Sequence, residues 1–274
     1  MFFSILLFLF MRFYIFIIFS VLIVVNLNLF YYNIYIMKKI CILIIYSHDK
    51  YYNKMLEIQQ KYLKKFENIV FYFTKMVNNQ ELDIEIVDNF INIKGEETFL
   101  NILDKTVKSM KYIYNNYEFD YLIRTNISTI VNIKKLEDFL MNAPKENYYG
   151  CCWYLNLNWL DYRGGIIDNT YFGTKFAQGT NIIFSKDIVK NICENSELLN
   201  FNILDDVAIG IFVNKYHTDA IEISSKYPSS MLFTYDDFNI SNKYVFYRNR
   251  RHENTSNEDR NNDIKAMLYL TENL

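Results

Sequence analysis

Ile40-Cys41-Ile42-Leu43-Ile44-Ile45-Tyr46 is an unbroken apolar run rich in β-branched residues, the pattern of a strand covered on both faces. Ser47-His48-Asp49 ends it. Over residues 51–66 the period changes to that of an amphipathic helix, with Met55, Ile58, Tyr62 and Phe66 on one face. Residues 69–73 predict a second buried strand. Residues 83–93 are extended, with acidic positions alternating against Ile84, Ile86 and Val87. A helical stripe of Phe99, Leu103, Val107, Met110 and Ile113 or Tyr114 predicts a long helix over 98–114, stopped by Asn115-Asn116-Tyr117. The central strand, 121–124, follows. This alternation of strand and helix predicts an α/β fold with right-handed crossovers and a largely parallel sheet.

The central strand then turns polar. Arg124-Thr125-Asn126-Ile127-Ser128 would deliver a cation and hydrogen-bonding groups to the carboxyl edge of the sheet, where open α/β sheets bind ligands. An ordinary polar turn accounts for the same residues on local grounds. Further on, residues 148–154 are strand-like, and 155–173 form an aromatic loop containing Asn and Gly that is long enough to shape a binding surface. Residues 181–184 predict a strand, followed by a helix from a capping Ser185 to Cys193. Leu204-Asp205-Asp206-Val207-Ala208-Ile209-Gly210 opens another helix through Asn214. A short helix, 263–270, closes the chain, and there is no internal repeat.

Residues 1–36 stand apart: almost wholly apolar, with Arg12 the only charge. The run from 13 to 36 exceeds the ~20 residues that span a bilayer, and no small-residue cleavage site follows. This predicts an N-terminal hydrophobic helix acting as a single-pass signal anchor in an endomembrane of the ER or Golgi kind, or in a viral or host one, with 37–274 as the second domain. Arg12 before the span and Lys38-Lys39 after it do not favour a lumenal domain. Met37 is also a natural start, in which case the product is soluble and cytoplasmic.

Net charge is -2, so electrostatic nucleic-acid binding is not expected. The 24 Tyr and 23 Phe beside 2 Pro and 7 Gly fit codon bias in an AT-rich genome, which weakens any argument from aromatic content. Cys41, Cys151, Cys152 and Cys193 lack metal-ligand spacing and read as small thiols rather than a disulfide framework.

Three contiguous residues cannot form a hydrolase triad, so Ser47-His48-Asp49 offers only Ser47, as a strand-end contact or part of a turn. Asp205 and Asp206 start a predicted helix, where free backbone N–H groups and the dipole keep carboxylates ionised near neutral pH. They are either an N-cap pair or a general base on a hydroxyl.

Taken in order, three segments resemble the β1,3-galactosyltransferase and Fringe-like family of GT-A glycosyltransferases. They are Tyr121-Leu122-Ile123-Arg124-Thr125-Asn126-Ile127-Ser128-Thr129-Ile130-Val131-Asn132-Ile133, then Phe176-Ala177-Gln178-Gly179-Thr180-Asn181-Ile182-Ile183-Phe184-Ser185, then Leu204 to Gly210. The resemblance covers roughly residues 38–270. It implies a GT-A-like (Rossmann-like) mixed, mainly parallel sheet flanked by helices, and a hexosyltransferase. Asp206 matches the family's catalytic base and Asp205 the acidic residue before it. Gly179 falls where backbone closely approaches acceptor and donor, and Arg124 takes a family Lys position.

Asn126, Ile127 and Ser128 fall on the family's acidic metal motif and supply no charge. Mn²⁺ or Mg²⁺ use is therefore left open, and no metal ligand is assigned. The chain is either an inactive relative that still binds glycan or nucleotide, or an enzyme in which Arg124, Arg248, Arg250 and Arg251 replace the metal. The expected reaction is inverting transfer from a UDP-linked nucleotide sugar to a glycan or glycoprotein acceptor. Ser47, Arg124, Asn126, Ser128 and Arg248 are expected to bind the donor. Trp153, Trp159 and Tyr162 are candidates for stacking on the acceptor, with the core as their commoner use. Asn239-Ile240-Ser241 and Asn254-Thr255-Ser256 are glycosylation sequons if the domain is lumenal.

Overall fold

A computed structural model describes residues 38–234, 243–250 and 257–274. The expected N-terminal anchor, Arg251 and both sequons lie outside the described residues. In chain order the elements are β1 (Ile40–Ile45), α1 (Lys50–Leu63), β2 (Ile69–Val77), β3 (Ile84–Val87), β4 (Phe90–Lys94), α2 (Ile102–Asn116), β5 (Tyr121–Asn126), β6 (Thr129–Val131), α3 (Ile133–Asn142), β7 (Tyr149–Gly150), β8 (Tyr154–Asn156), β9 (Lys175–Ala177), β10 (Asn181–Ser185), α4 (Lys186–Glu194), α5 (Asp205–Tyr216), α6 (Ala220–Ser225), β11 (Met231–Phe233), β12 (Phe246–Arg248) and α7 (Asn257–Asn273). Among the described residues no helix is long and apolar enough to cross a membrane.

The seven-stranded main sheet has the order β3-β4-β2-β1-β5-β10-β7. Its centre, β4-β2-β1-β5, is parallel, while β3, β10 and β7 pair antiparallel towards the edges. The apolar run of β1 is explained by its place in the middle, where both faces are covered. Cys41, Leu43 and Ile45 point into one core with α2, α4 and α5. Ile40, Ile42, Ile44 and Tyr46 point into the other with α1, α3 and α7. Strand period 2 thus sorts one segment between two cores.

Several elements depart from the sequence expectation. β2 continues to Val77, and the extended stretch 83–93 is an antiparallel hairpin, β3–β4. α2 begins at Ile102, so Phe99 lies before it and is exposed. The strand-like stretch 148–154 is broken after Gly150 and resumes as β8, which pairs with β9 and brackets the aromatic loop between them. Gly165 in that loop has φ +75° and lies against the Asn202 carbonyl, so no side chain fits there. Ser185 does precede α4 but makes no capping bond; its Oγ accepts instead from Tyr148 N at 2.9 Å. The described cysteines are free thiols.

Residues 244–248 carry no element in the sequence pattern. Part of this stretch is β12, which pairs antiparallel with β6, setting Arg248 opposite Thr129, and parallel with β11. Two buried side chains of α1 hold β6 and the turn before it. Gln59 Nε2 donates to the carbonyls of Ile127 (2.8 Å) and Thr129 (3.0 Å), and Tyr62 Oη donates to Val131 O at 3.0 Å. The polar strand tip is therefore fixed in place by satisfied buried polar groups.

Candidate active site

The sheet order changes direction once. β1 connects outwards through α1 to β2, and the chain later returns through α2 to β5 on the opposite side of β1. The carboxyl ends of β1 and β5 are thus the topological switch point, where open α/β sheets leave a crevice. Two adjoining cavities of about 310 and 510 Å³ lie there, sharing Ile45, Asn126, Arg248 and Arg250 among their walls. The smaller one is also lined by Arg124, Trp159, Gly179, Asp205 and Asp206. The larger adds Ser47, Tyr52, Glu97, Ser128, Arg163 and Arg260.

Arg124, only 3% exposed, projects from β5 and donates from Nη2 to Asp205 Oδ2 at 2.5 Å and from Nη1 to Asn126 Oδ1 at 3.0 Å. The next residue, Asp206, is half-buried at the entrance of α5. Its Oδ2 accepts from Gly179 N (3.1 Å) and its Oδ1 from Val207 N (2.9 Å). Removal from water, then the Asp205 carboxylate, push its pKa up to about 7 against the pull of Arg124 and the two N–H groups. The helix-entrance argument predicted a carboxylate ionised at neutral pH. Burial and the neighbouring carboxylate outweigh those N–H groups, so Asp206 titrates near neutrality instead.

Gly179 is required by space. A β-carbon there would stand 2.5 Å from Arg124 Nη1, part of a guanidinium held by Asn126 through Nη1 and by Asp205 through Nη2. Gly179→Ala is expected to displace the guanidinium from the Asp205 pair. A fall of several degrees in melting temperature with a drop in activity of at least about tenfold is the expected pattern, each tenfold being ~1.4 kcal/mol. An alanine variant that melts and turns over like the parent would show that the contact has no consequence.

On the other wall, Arg248 is 6% exposed and donates from Nη1 to Ser128 Oγ (2.7 Å) and Thr129 Oγ1 (3.3 Å). Burial, then the neighbouring Arg250, lower its pKa to about 9, still well above neutrality. Glu97 is fixed by Lys105 Nζ, by Ser47 Oγ (3.1 Å) and by Met76 N (2.9 Å).

The resemblance raises the question of a divalent metal at the strand tip, and the residues there do not fit one. Mn²⁺ or Mg²⁺ wants carboxylate oxygens. Here Asn126 Oδ1 and Ser128 Oγ each accept from a guanidinium, and Ile127 is buried in the core. Among the described residues no group of three or more His, Cys, Asp or Glu is placed to hold a metal.

Of the residues singled out in the sequence, Ser47, Arg124, Asn126, Ser128, Gly179, Asp205, Asp206 and Arg248 meet around these cavities. Trp153 does not line either one; it faces Phe233 with ring centres 6.1 Å apart. Tyr162 is exposed and also outside the walls, whereas Trp159 lines the smaller cavity. Glu97, Arg163 and Arg260 were missed. They come from a turn, a loop and the last helix, with no shared pattern in sequence; the β12–β6 pairing, which brings Arg248 to the same place, is equally silent there.

A family model described as galactosyltransferase matches residues 72–224, more than half of the chain. A probable β-1,3-galactosyltransferase 12 of Arabidopsis thaliana is 25% identical over an alignment of 158 residues that covers 53% of this chain and 42% of that protein. The chain therefore spans less than half the length of that relative. A glycosyltransferase involved in glycosylating the major capsid of PBCV-1 aligns with a TM-score of 0.41 and 10% identity, over 83% of this chain and 98% of that one. The apo-form glycosyltransferase GlyE of Streptococcus pneumoniae aligns with a TM-score of 0.40 and 11% identity, over 86% and 62%. The family match runs through the strand tip, Gly179 and the Asp205-Asp206 helix entrance, and by it the chain belongs to the galactosyltransferase family.

Proposed function

We propose that the chain is an inverting glycosyltransferase, moving a sugar from a UDP-linked donor to a hydroxyl of a glycan or glycoprotein, with Asp206 as general base. The observation that carries this reading is that Asp206 and the polar tip of β5 line one cavity at the switch point of the sheet. Asp206 takes the proton of the acceptor hydroxyl. The acceptor oxygen forms its bond to the anomeric carbon while the bond to the diphosphate breaks on the opposite face, and the diphosphate leaves with the electron pair.

The order of the walls supports one orientation of a molecule built as nucleoside, diphosphate and sugar. Asp206, Gly179 and Trp159 stand at one end, Arg248 and Arg250 in the shared middle, and Ser47, Tyr52 and Glu97 at the other end. The sugar belongs beside Asp206, the diphosphate beside the arginines and the nucleoside beside Ser47. Trp159, 39% exposed, gives an acceptor sugar an aromatic face next to the base.

The reading is tested by pH. A carboxyl raised to about 7 is protonated below that value and cannot accept a proton, so transfer rate is expected to climb roughly tenfold per unit below pH 7 and level off above it. A profile flat from pH 5 to 8 in a transfer assay with UDP-hexoses would remove Asp206 from the role of base.

A further inference from the structure

The larger cavity holds positive charge that the fold does not neutralise. Arg248 is buried, yet its bonds go to the hydroxyls of Ser128 and Thr129, and among the described residues it has no carboxylate partner. A guanidinium taken out of water in this way is costly unless an anion joins it. Three more arginines reach the same cavity: Arg163 from the aromatic loop, where it lies over the Phe99 ring, Arg250 just after β12, and Arg260 from α7, over the Tyr52 ring. Arg260 has Asp263 at 3.4 Å. The one carboxylate in this wall, Glu97, is occupied by Lys105, Ser47 and the Met76 amide.

We propose that Arg248, with Arg163, Arg250 and Arg260, forms a diphosphate site that binds the donor's pyrophosphate directly, in the place a divalent cation would otherwise take. The inference rests on the transferase reading and adds to it the means by which the donor is held. Ser128 and Asn126, which cannot ligate a metal as carboxylates do, serve a different purpose: each accepts from a guanidinium and fixes its direction, Ser128 for Arg248 and Asn126 for Arg124. Guanidinium forks match pairs of phosphate oxygens. As the bond to the anomeric carbon breaks, negative charge grows on the leaving phosphate, and fixed cations beside it stabilise that charge without rearrangement. The four arginines come from three elements, the aromatic loop, the end of β12 and α7, and the fold brings Arg163 to the C-terminal three.

The test is binding of UDP and of inorganic pyrophosphate to the full chain, by calorimetry, in EDTA and then in millimolar Mn²⁺. Both ligands are expected to bind in EDTA, with Mn²⁺ changing the Kd less than about threefold. Replacing the buried Arg248 also endangers folding, so the exposed Arg163→Ala and Arg250→Ala carry the test. Each is expected to weaken UDP at least about fivefold and to leave the melting temperature unchanged. Binding that vanishes in EDTA and returns with Mn²⁺ sinks the arginine site while leaving transfer intact, since sugar transfer would then be measurable with the metal. Arginine variants that bind UDP like the parent sink it as well. Absence of both binding and transfer in either buffer would bring down the transferase reading along with it.

Discussion

Asp206→Asn is expected to lower sugar transfer by about 10²–10⁴-fold, the range associated with loss of a positioned general base. Asparagine keeps the shape, but its single Oδ1 can replace only one of the two carboxylate oxygens that accept from Gly179 N and Val207 N. It also loses the ability to take a proton. UDP binding should change little, because Asp206 lines only the smaller cavity, whereas Arg163 and Arg260 line only the larger one and Arg248 and Arg250 the wall common to both. The variant should also be no less stable than the parent above pH 7. Asp206 has a raised pKa, so the folded chain holds this proton more tightly than the unfolded chain does. Between the ordinary carboxylate range and about 7 the contribution of this group to stability falls as pH rises, and above 7 its charge is a cost that asparagine removes. A loss of rate together with a higher or equal melting temperature is the signature of a group kept for chemistry rather than for folding. An asparagine variant with more than about a tenth of parental turnover would refute the assignment.

Arg124→Met is expected to give the largest loss of stability, about 3–5 kcal/mol by urea denaturation, as for other buried ion pairs deprived of one partner. The guanidinium and Asp205 are both nearly inaccessible, with side-chain exposures of 3% and 8%. Without it, Asp205 would be left buried beside Asp206 without its ion-pair partner. The Asp206 carboxyl would rise further, moving the pH profile upwards in whatever protein still folds. Removing both members in Arg124→Met with Asp205→Leu is expected to recover most of the lost stability, since the desolvation cost goes with the charges. If the double variant is as unstable as the single one, the pair is not what the single variant lost.

How much of this was legible in the sequence differs from one element to another. β1, β5 and the helices between them were readable because continuous apolar runs and 3.6-residue stripes have no other good explanation. The candidate base was readable from Leu204-Asp205-Asp206-Val207-Ala208-Ile209-Gly210 taken in order with the strand tip. Its acidity was not: the helix entrance argues for a low pKa, and only three-dimensional burial beside Asp205 reverses it. The stretch 83–93 hid a hairpin because its turn, with Asp88 at φ +52°, carries no glycine. The stretch 148–154 hid a break because aromatic and Cys residues satisfy a strand pattern even where they serve as loop anchors. Arg248 could be suspected but not placed, since nothing local says that a three-residue strand near the end of the chain pairs with β6.

That late pairing sets the order in which the protein can become competent during synthesis. The main sheet is complete once β10 has left the ribosome, and the helix entrance that carries Asp206 follows soon after. Arg248 and Arg260 arrive only with the last strand and helix. A chain cut before β12 would therefore carry the helix entrance with Asp205 and Asp206 but lack Arg248, Arg250 and Arg260, and with them the buried residues of β12 and α7 that complete the core around α1.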